Sequence, residues 1–341
     1  MAAVSHGPAA LLGVTLTDGS RLLAGKRVAA LTGAEEKAVG LGGAAPFPLV
    51  ERLVAEGATQ VPGPGFAEHT VRDGRLVTGQ NPASAAAVAR AVVRMLAAGW
   101  TEIPTAAADG GTLGAYVARP DGAGPFPGVV VAPELFGVNG HVEDVTRRVA
   151  ELGCVAIAPD FHHRTEPRAA LGYDTAGRER GFALLNALTR DGVTEDVAAA
   201  LTHLSRREGT TPRTGMVGFS VGGHLAVIAA ARLGLDATAA FYPGWLTGTE
   251  FPIGRPEPTL GLVGDIRGRL LVLVGEDDHV VPAADRERIA AALAAAGPRH
   301  ELVVPAGIPH GYFCDERDSY RPEAAADAWR RVARLLDGLR M

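Results

Sequence analysis

Residues 100–341 predict an α/β domain with a mostly parallel, doubly wound sheet, and a smaller α/β segment precedes it over residues 1–99. Two observations carry the prediction. Short, continuous apolar runs alternate with amphipathic helical patterns, as in a parallel sheet covered on both faces. In addition, one glycine-rich turn at 218–223 stands between a strand pattern and a helix pattern. In chain order the runs 114–118 and 128–132 read as strands, followed by a helix at 141–152 and a strand at 155–158. Helices are expected at 178–188 and 193–206, then a strand at 215–219 and a helix at 222–233. Strands at 237–241 and 270–274, a helix at 283–296, a strand at 301–304 and a helix at 322–339 complete the domain.

The first segment opens its regular structure with the apolar stretch Arg27-Val28-Ala29-Ala30-Leu31, short enough for a buried strand. A helical pattern follows through Phe47, Leu49, Val50, Leu53 and Val54. Asp73-Gly74 lies between alternating residues of the stretch 70–78, a strong hairpin signal. A helix is expected at 82–96, with Asn81 or Ser84 near its start, and 100–108 reads as a connector.

Composition excludes several function classes. Hydrophobic residues make up 47% of the 341 and charged residues 21%, enough apolar surface to offset chain entropy. The formal net charge is -5, so no basic face announces a nucleic-acid partner. Two cysteines, Cys154 and Cys314, cannot staple a chain of this size. There is no apolar run long enough to span a membrane and no signal-peptide build at the N-terminus, so a cytoplasmic protein is expected.

The turn Gly218-Phe219-Ser220-Val221-Gly222-Gly223 has the form G-x-S-x-G. A nucleophile on a tight strand-to-helix turn is held in a strained conformation, and side chains two positions either side would collide. With six serines in the chain, chance supplies roughly 0.1 such motifs. A serine hydroxyl needs a general base, and the base needs an orienting carboxylate. With the nucleophile on such a turn, these follow in the order acid, then histidine. Glu276-Asp277-Asp278 leaves the strand 270–274, and His310 lies in the loop after the next strand. Asp278 is the leading acid of the three. His279 and His224 are expected to point elsewhere, and His162 is a candidate for the pocket rim. Adjacent histidines rarely chelate one ion, so His162, His163 and Asp160 are not expected to form a metal site.

Five ordered motifs resemble the dienelactone hydrolase family of the α/β-hydrolase superfamily. They are Pro133-Glu134-Leu135-Phe136-Gly137, Ala158-Pro159-Asp160-Phe161, the Ser220 turn, Gly275-Glu276-Asp277-Asp278-His279-Val280-Val281-Pro282, and His310-Gly311-Tyr312-Phe313. The match spans about residues 105–340. The resemblance implies an α/β-hydrolase fold and a triad of Ser220, Asp278 and His310, because the family aspartate immediately precedes a His-x-Val-Pro run. It implies an oxyanion hole from the amides of Val221 and Leu135. Glu134 matches a glutamate thought to hold the resting nucleophile. The family's best-known members use cysteine, so the role of Glu134 beside a serine is open. Members that cleave dienelactone carry an arginine four residues past the histidine, where this chain has Cys314. Arg178 or Arg180 matches another carboxylate-binding arginine, and Arg317 is a further substitute. Tyr312 is a remaining candidate for the substrate pocket.

The first segment has its own resemblance. Residues 1–12 look like the nucleophile elbow of ThiJ/PfpI-like proteins, in the class I glutamine amidotransferase-like superfamily. Gly25-Lys26-Arg27-Val28, Glu35-Glu36-Lys37-Ala38-Val39-Gly40 and the stretch 76–84 continue the match over residues 1–97. The resemblance implies a partial, flavodoxin-like α/β segment corresponding to the C-terminal half of such a domain. Ser5, followed by His6, stands where that family has its cysteine nucleophile, so a non-catalytic remnant is expected. Its half sheet would have an uncovered edge. Packing on the following domain, a homodimer through this segment, or a natural start further upstream would each resolve that.

Taken together, the expectation is a hydrolase of a small ester or lactone, acting through an acyl-enzyme and needing no metal or organic cofactor. The same triad would serve a thioesterase or acyltransferase. The reading from a different class is a non-catalytic interaction protein built around the N-terminal segment.

Overall fold

The computed structural model describes residues 1–16, 19–41, 46–74, 76–96, 98–105, 111–206 and 210–340. The chain divides into two compact units, Met1–Ala97 and Ala98–Met341.

In the first unit, β1 (Ala2–Val4) pairs in parallel with β5 (Leu76–Gly79), which pairs antiparallel with β4 (Thr70–Asp73). The expected hairpin forms, and Gly74 at its turn has φ +57, a conformation that glycine adopts without strain. Arg75 lies outside the described residues. A separate parallel pair joins β2 (Arg27–Val28) to β3 (Thr59–Gln60), so the strand expected at 27–31 is shorter than its apolar run. Helices α1 (Gly33–Ala38), α2 (Leu49–Ala55) and α3 (Ala85–Leu96) complete the unit. Leu23, Val28 and Leu53 are fully buried in its core.

Glu35 is the polar hub of this unit. It closes a capping box with Thr32 and accepts hydrogen bonds from Phe66 N at 2.7 Å and Asn81 Nδ2 at 2.9 Å. Burial opposes its charge, but these donors and those of Thr32 outweigh it and hold the carboxyl down at about 2. A carboxylate depressed on folding stabilises the native state above its ordinary pKa, and that stabilisation is lost as pH falls toward 2. The depression corresponds to about 3 kcal/mol at neutral pH. Glu35→Gln is therefore expected to remove most of that stabilisation and to flatten the acid limb of unfolding. Hydrogen exchange at the unit's buried amides as a function of pH checks this. Unchanged protection at pH 7 would contradict it.

The second unit carries an eight-stranded sheet. Its strands are β6 (Ala98–Pro104), β7 (Thr112–Ala118), β8 (Phe126–Ala132), β9 (Val155–Pro159), β10 (Thr210–Phe219), β11 (Ala237–Phe241), β12 (Arg269–Leu273) and β13 (Glu301–Val303). The spatial order is β13-β12-β11-β10-β8-β9-β7-β6. Only β6–β7 and β7–β9 pair antiparallel, and every other neighbour is parallel.

β6 corrects the reading of a connector at 100–108. Trp100 and Glu102 alternate with Thr101 and Ile103, and only Ile103 of these four is buried, a weak apolar signal suited to an edge strand. Residues 106–110 of that expected connector lie outside the described residues.

Helices α4 (Gly140–Glu151) and α9 (Pro322–Asp337) cover one face of the sheet. Helices α6 (Arg190–Ser205), α7 (Val221–Leu233) and α8 (Ala283–Ala296) pack into the core on the other. Successive residues of β8 feed the two cores in turn: Val129 and Val131 enter one, Val130 and Ala132 the other. Helix α5 (Thr175–Leu185) starts three residues before the expected 178, because the Asp174 side chain caps Gly177 N at 2.8 Å.

Among the described residues no helix is long and apolar enough to cross a membrane.

Candidate active site

The sheet places Ser220 at the end of β10, where the chain turns directly into α7. Its backbone is strained, with φ 52 and ψ −113. The flanking glycines have a steric cause. A Cβ on Gly218 would lie 2.0 Å from Gly222 O, and one on Gly222 would lie 2.4 Å from both Ala132 O and Pro133 O. Any larger side chain would push the turn off the neighbouring strand. Ser220 N donates to Phe241 O at 2.9 Å, which ties the strained residue to β11. The N-terminus of α7 lies behind the hydroxyl, where its dipole favours developing negative charge.

Three sequence-distant side chains meet at this turn. Ser220 Oγ lies 2.9 Å from His310 Nε2. His310 Nδ1 lies 2.8 Å from Asp278 Oδ2 and 3.0 Å from Oδ1. Asp278 Oδ1 also accepts from Val280 N at 2.8 Å and Val281 N at 3.0 Å, which locks the carboxylate's orientation. All three are buried, at 6% exposure or less, while Glu276 and Asp277 are exposed. The arrangement fixes a proton on Nδ1 and leaves Nε2 free to accept one from the serine.

The loop after β8 brings Leu135 to the same pocket, and Gly222 N donates to Pro133 O at 3.0 Å, joining that loop to the Ser220 turn. Val221, the first residue of α7, is buried at the turn. Glu134 does not bond to the nucleophile. Its Oε1 accepts from Tyr242 Oη at 2.8 Å and its Oε2 from Arg317 Nη1 at 2.8 Å.

The pocket above Ser220 has a volume of about 130 Å³. That is below the roughly 300–1,000 Å³ of sites for drug-sized ligands. Leu135, Phe136, Tyr173, Phe182, Trp245 and Val280 supply its apolar walls, and Glu134, Arg178, Arg317 and His279 its charged or polar ones. A larger cleft lined by Arg213, Arg267 and Arg269 holds none of Ser220, His310 and Asp278.

Three expected pocket residues lie elsewhere. Arg180 is exposed and paired with Glu166. His162 is buried in the turn after β9, where Asp160 Oδ1 accepts from its amide at 3.0 Å, and burial holds its ring at about 4, hence neutral. Tyr312 is 1% exposed and packs against Phe241 and Tyr242 in the core under α9.

His279 was expected to point away. Instead it lines the pocket, with its ring 5.8 Å from that of His310. His224 is buried and structural: Nδ1 donates to Gly244 O at 2.8 Å, and Nε2 accepts from Thr259 Oγ1 at 2.7 Å. Tyr173, Phe182 and Trp245 carried no sequence signal, because they reach the pocket from an irregular loop, a helix and a left-handed turn at Trp245 (φ 60).

Comparison with known proteins gives a consistent result. The model of the dienelactone hydrolase family matches residues 113–339. A Synechocystis protein named "Putative carboxymethylenebutenolidase" is 37% identical over 228 residues, 65% of this chain and 90% of that protein. A Yersinia pestis protein of the same name is 35% identical over 240 residues, 69% of this chain and 85% of that one. Among solved structures, a "Putative Dienelactone Hydrolase" from Klebsiella pneumoniae superposes with a TM-score of 0.63 at 29% identity. It covers 71% of this chain and 99% of its own. Met1–Ala97 lies outside the residues matched by the family model.

Proposed function

The chain belongs to the dienelactone hydrolase family and is a carboxylic ester hydrolase, and on that premise we propose that it cleaves a small ester or lactone through an acyl-enzyme on Ser220. The observation that carries the reading is the continuous hydrogen-bond path from Ser220 Oγ through His310 to Asp278 at the C-terminal edge of the sheet. Ser220 Oγ attacks the carbonyl carbon while His310 Nε2 takes its proton. Asp278 holds the imidazole and stabilises the imidazolium. The amides of Val221 and Leu135 receive the oxyanion. Collapse of the tetrahedral intermediate expels the alkoxide, which takes the proton from His310. Water then repeats the sequence on the acyl-enzyme, releasing the acid and restoring Ser220. A panel of short activated esters and lactones, with Ser220→Ala as control, tests the reading.

We read the substrate as neutral. Arg317 faces the pocket, but its charge is matched by Glu134. Arg178 lies at the exposed mouth, where water competes for its charge. Cys314 is buried and its thiol donates to Tyr173 at 3.3 Å, so it offers a carboxylate no cation. A carboxylate buried without a paired cation costs several kcal/mol. For a matched pair, an ester and its analogue with a free carboxylate, the neutral member is expected to have the higher kcat/KM. A tenfold preference for the charged analogue would contradict this.

We read Met1–Ala97 as a non-catalytic segment related to the C-terminal half of a ThiJ/PfpI-like domain. The parallel pairing of β1 with β5 and the left-handed turn at Ser5 (φ 60) support the relationship. Among the hydrogen bonds of the described residues none joins Ser5 Oγ to the His6 ring, which engages Glu36 at 2.9 Å, and that supports the non-catalytic reading.

A further inference from the structure

The loop 133–137, which carries Leu135 N, is held by side chains as well as by backbone. Glu134 is 5% exposed, and both of its carboxylate oxygens are taken, one by Tyr242 Oη and the other by Arg317 Nη1, each at 2.8 Å. Arg317 is half-buried, with 24% of its side chain exposed, so water reaches its guanidinium. Tyr242 is fully buried, out of reach of water. Its phenol stays protonated, because burial and the neighbouring Glu134 push its pKa well above the ordinary value, so it remains a donor. The residue has φ 35, a left-handed conformation that a tyrosine adopts only when its surroundings impose it. Its amide donates to Leu273 O at 2.6 Å, anchoring it to β12. Its ring packs edge-on against His310, with centroids 4.8 Å apart.

We propose that Tyr242 is a positioning residue for the oxyanion hole: through the Tyr242–Glu134 hydrogen bond it fixes the loop that presents Leu135 N to the substrate carbonyl. The inference rests on the serine-hydrolase reading above. It also gives Glu134 a static task in this chain. With both oxygens engaged and Ser220 Oγ bonded to His310, the carboxylate serves as an anchor for its own loop. Donors aimed at a developing oxyanion act in the transition state, so loosening the loop lowers kcat and leaves KM nearly unchanged.

Tyr242→Phe keeps the ring against His310 and removes only the hydroxyl. The experiment measures kcat and KM on an activated acetate ester, with active sites counted by a fluorophosphonate. The expected result is a fall of about tenfold in kcat per titrated site, the size of one buried hydrogen bond to a charged group, with KM within twofold. Glu134→Gln is expected to give a similar loss, and the double variant no more than the larger single loss, because Tyr242 acts through Glu134. Unchanged kcat per titrated site in Tyr242→Phe, or losses that multiply in the double variant, would overturn the proposal. If Tyr242→Phe does not fold, an unchanged kcat per site in Glu134→Gln would overturn it alone. Failure of the underlying reading is distinguishable, because Ser220→Ala would then keep turnover and the fluorophosphonate would not label Ser220.

Discussion

Ser220→Ala is expected to lower kcat for short activated esters by about 10⁶, while the fold stays intact. Ser220 Oγ is the one hydroxyl within reach of His310 Nε2 among the hydrogen bonds of the described residues, at 2.9 Å. Alanine keeps the Cβ and tolerates the turn no worse than serine does, so the loss falls on chemistry. The pocket and the amides of Val221 and Leu135, proposed to bind the oxyanion, stay in place, which leaves a residual rate above that of water. Steady-state kinetics on the purified variant, beside its thermal unfolding curve, checks both halves. Activity within tenfold of the parent protein would contradict the assignment.

The second large effect is expected from Asp278→Asn. The carboxylate accepts from His310 Nδ1 and from two backbone amides, Val280 and Val281. Asparagine has nearly the same shape, but its amide nitrogen can donate to Nδ1 and move the ring proton to Nε2. The imidazole then faces Ser220 with a donor where it needs an acceptor. An orienting carboxylate changed in this way costs about 10⁴ in kcat in the analogous serine-protease triad. The loss should lie in kcat, with KM little changed, since Asp278 does not line the pocket. A loss smaller than tenfold would mean that His310 is oriented by something else.

The meeting of Ser220, His310 and Asp278 was legible in the sequence because its determinants are local or ordered along the chain. Gly218 and Gly222 are fixed by collisions within one turn, and a two-residue spacing reports that directly. Asp278 and His310 each follow a strand of the same sheet, so their order carried their position. The alternation of the second unit gave its helices and all its strands except β6. That edge strand pairs on one side only, and its mixed residues resemble a loop in any window.

The pocket was far less legible. Arg178 and Arg180 sit two residues apart on one helix, so their side chains leave it on different faces. One reaches the pocket and the other pairs with Glu166. Tyr312 is two residues from His310, yet its ring is buried in the core under α9. Tyr242 has no motif around it, and its contacts with Glu134 at its hydroxyl and His310 against its ring, both far away in sequence, appear only in the structure. Such contacts are set by tertiary packing, which a single sequence does not display.

The proposed mechanism passes through an acyl-enzyme on Ser220. Its most direct test is covalent labelling of the whole protein with a fluorophosphonate, followed by intact mass measurement and peptide mapping. The expected result is one adduct per chain, on Ser220, with loss of esterase activity in proportion to labelling and no adduct in Ser220→Ala. Esterase activity that survives full labelling of Ser220, or an inactivating adduct on another residue such as Ser5, would contradict it.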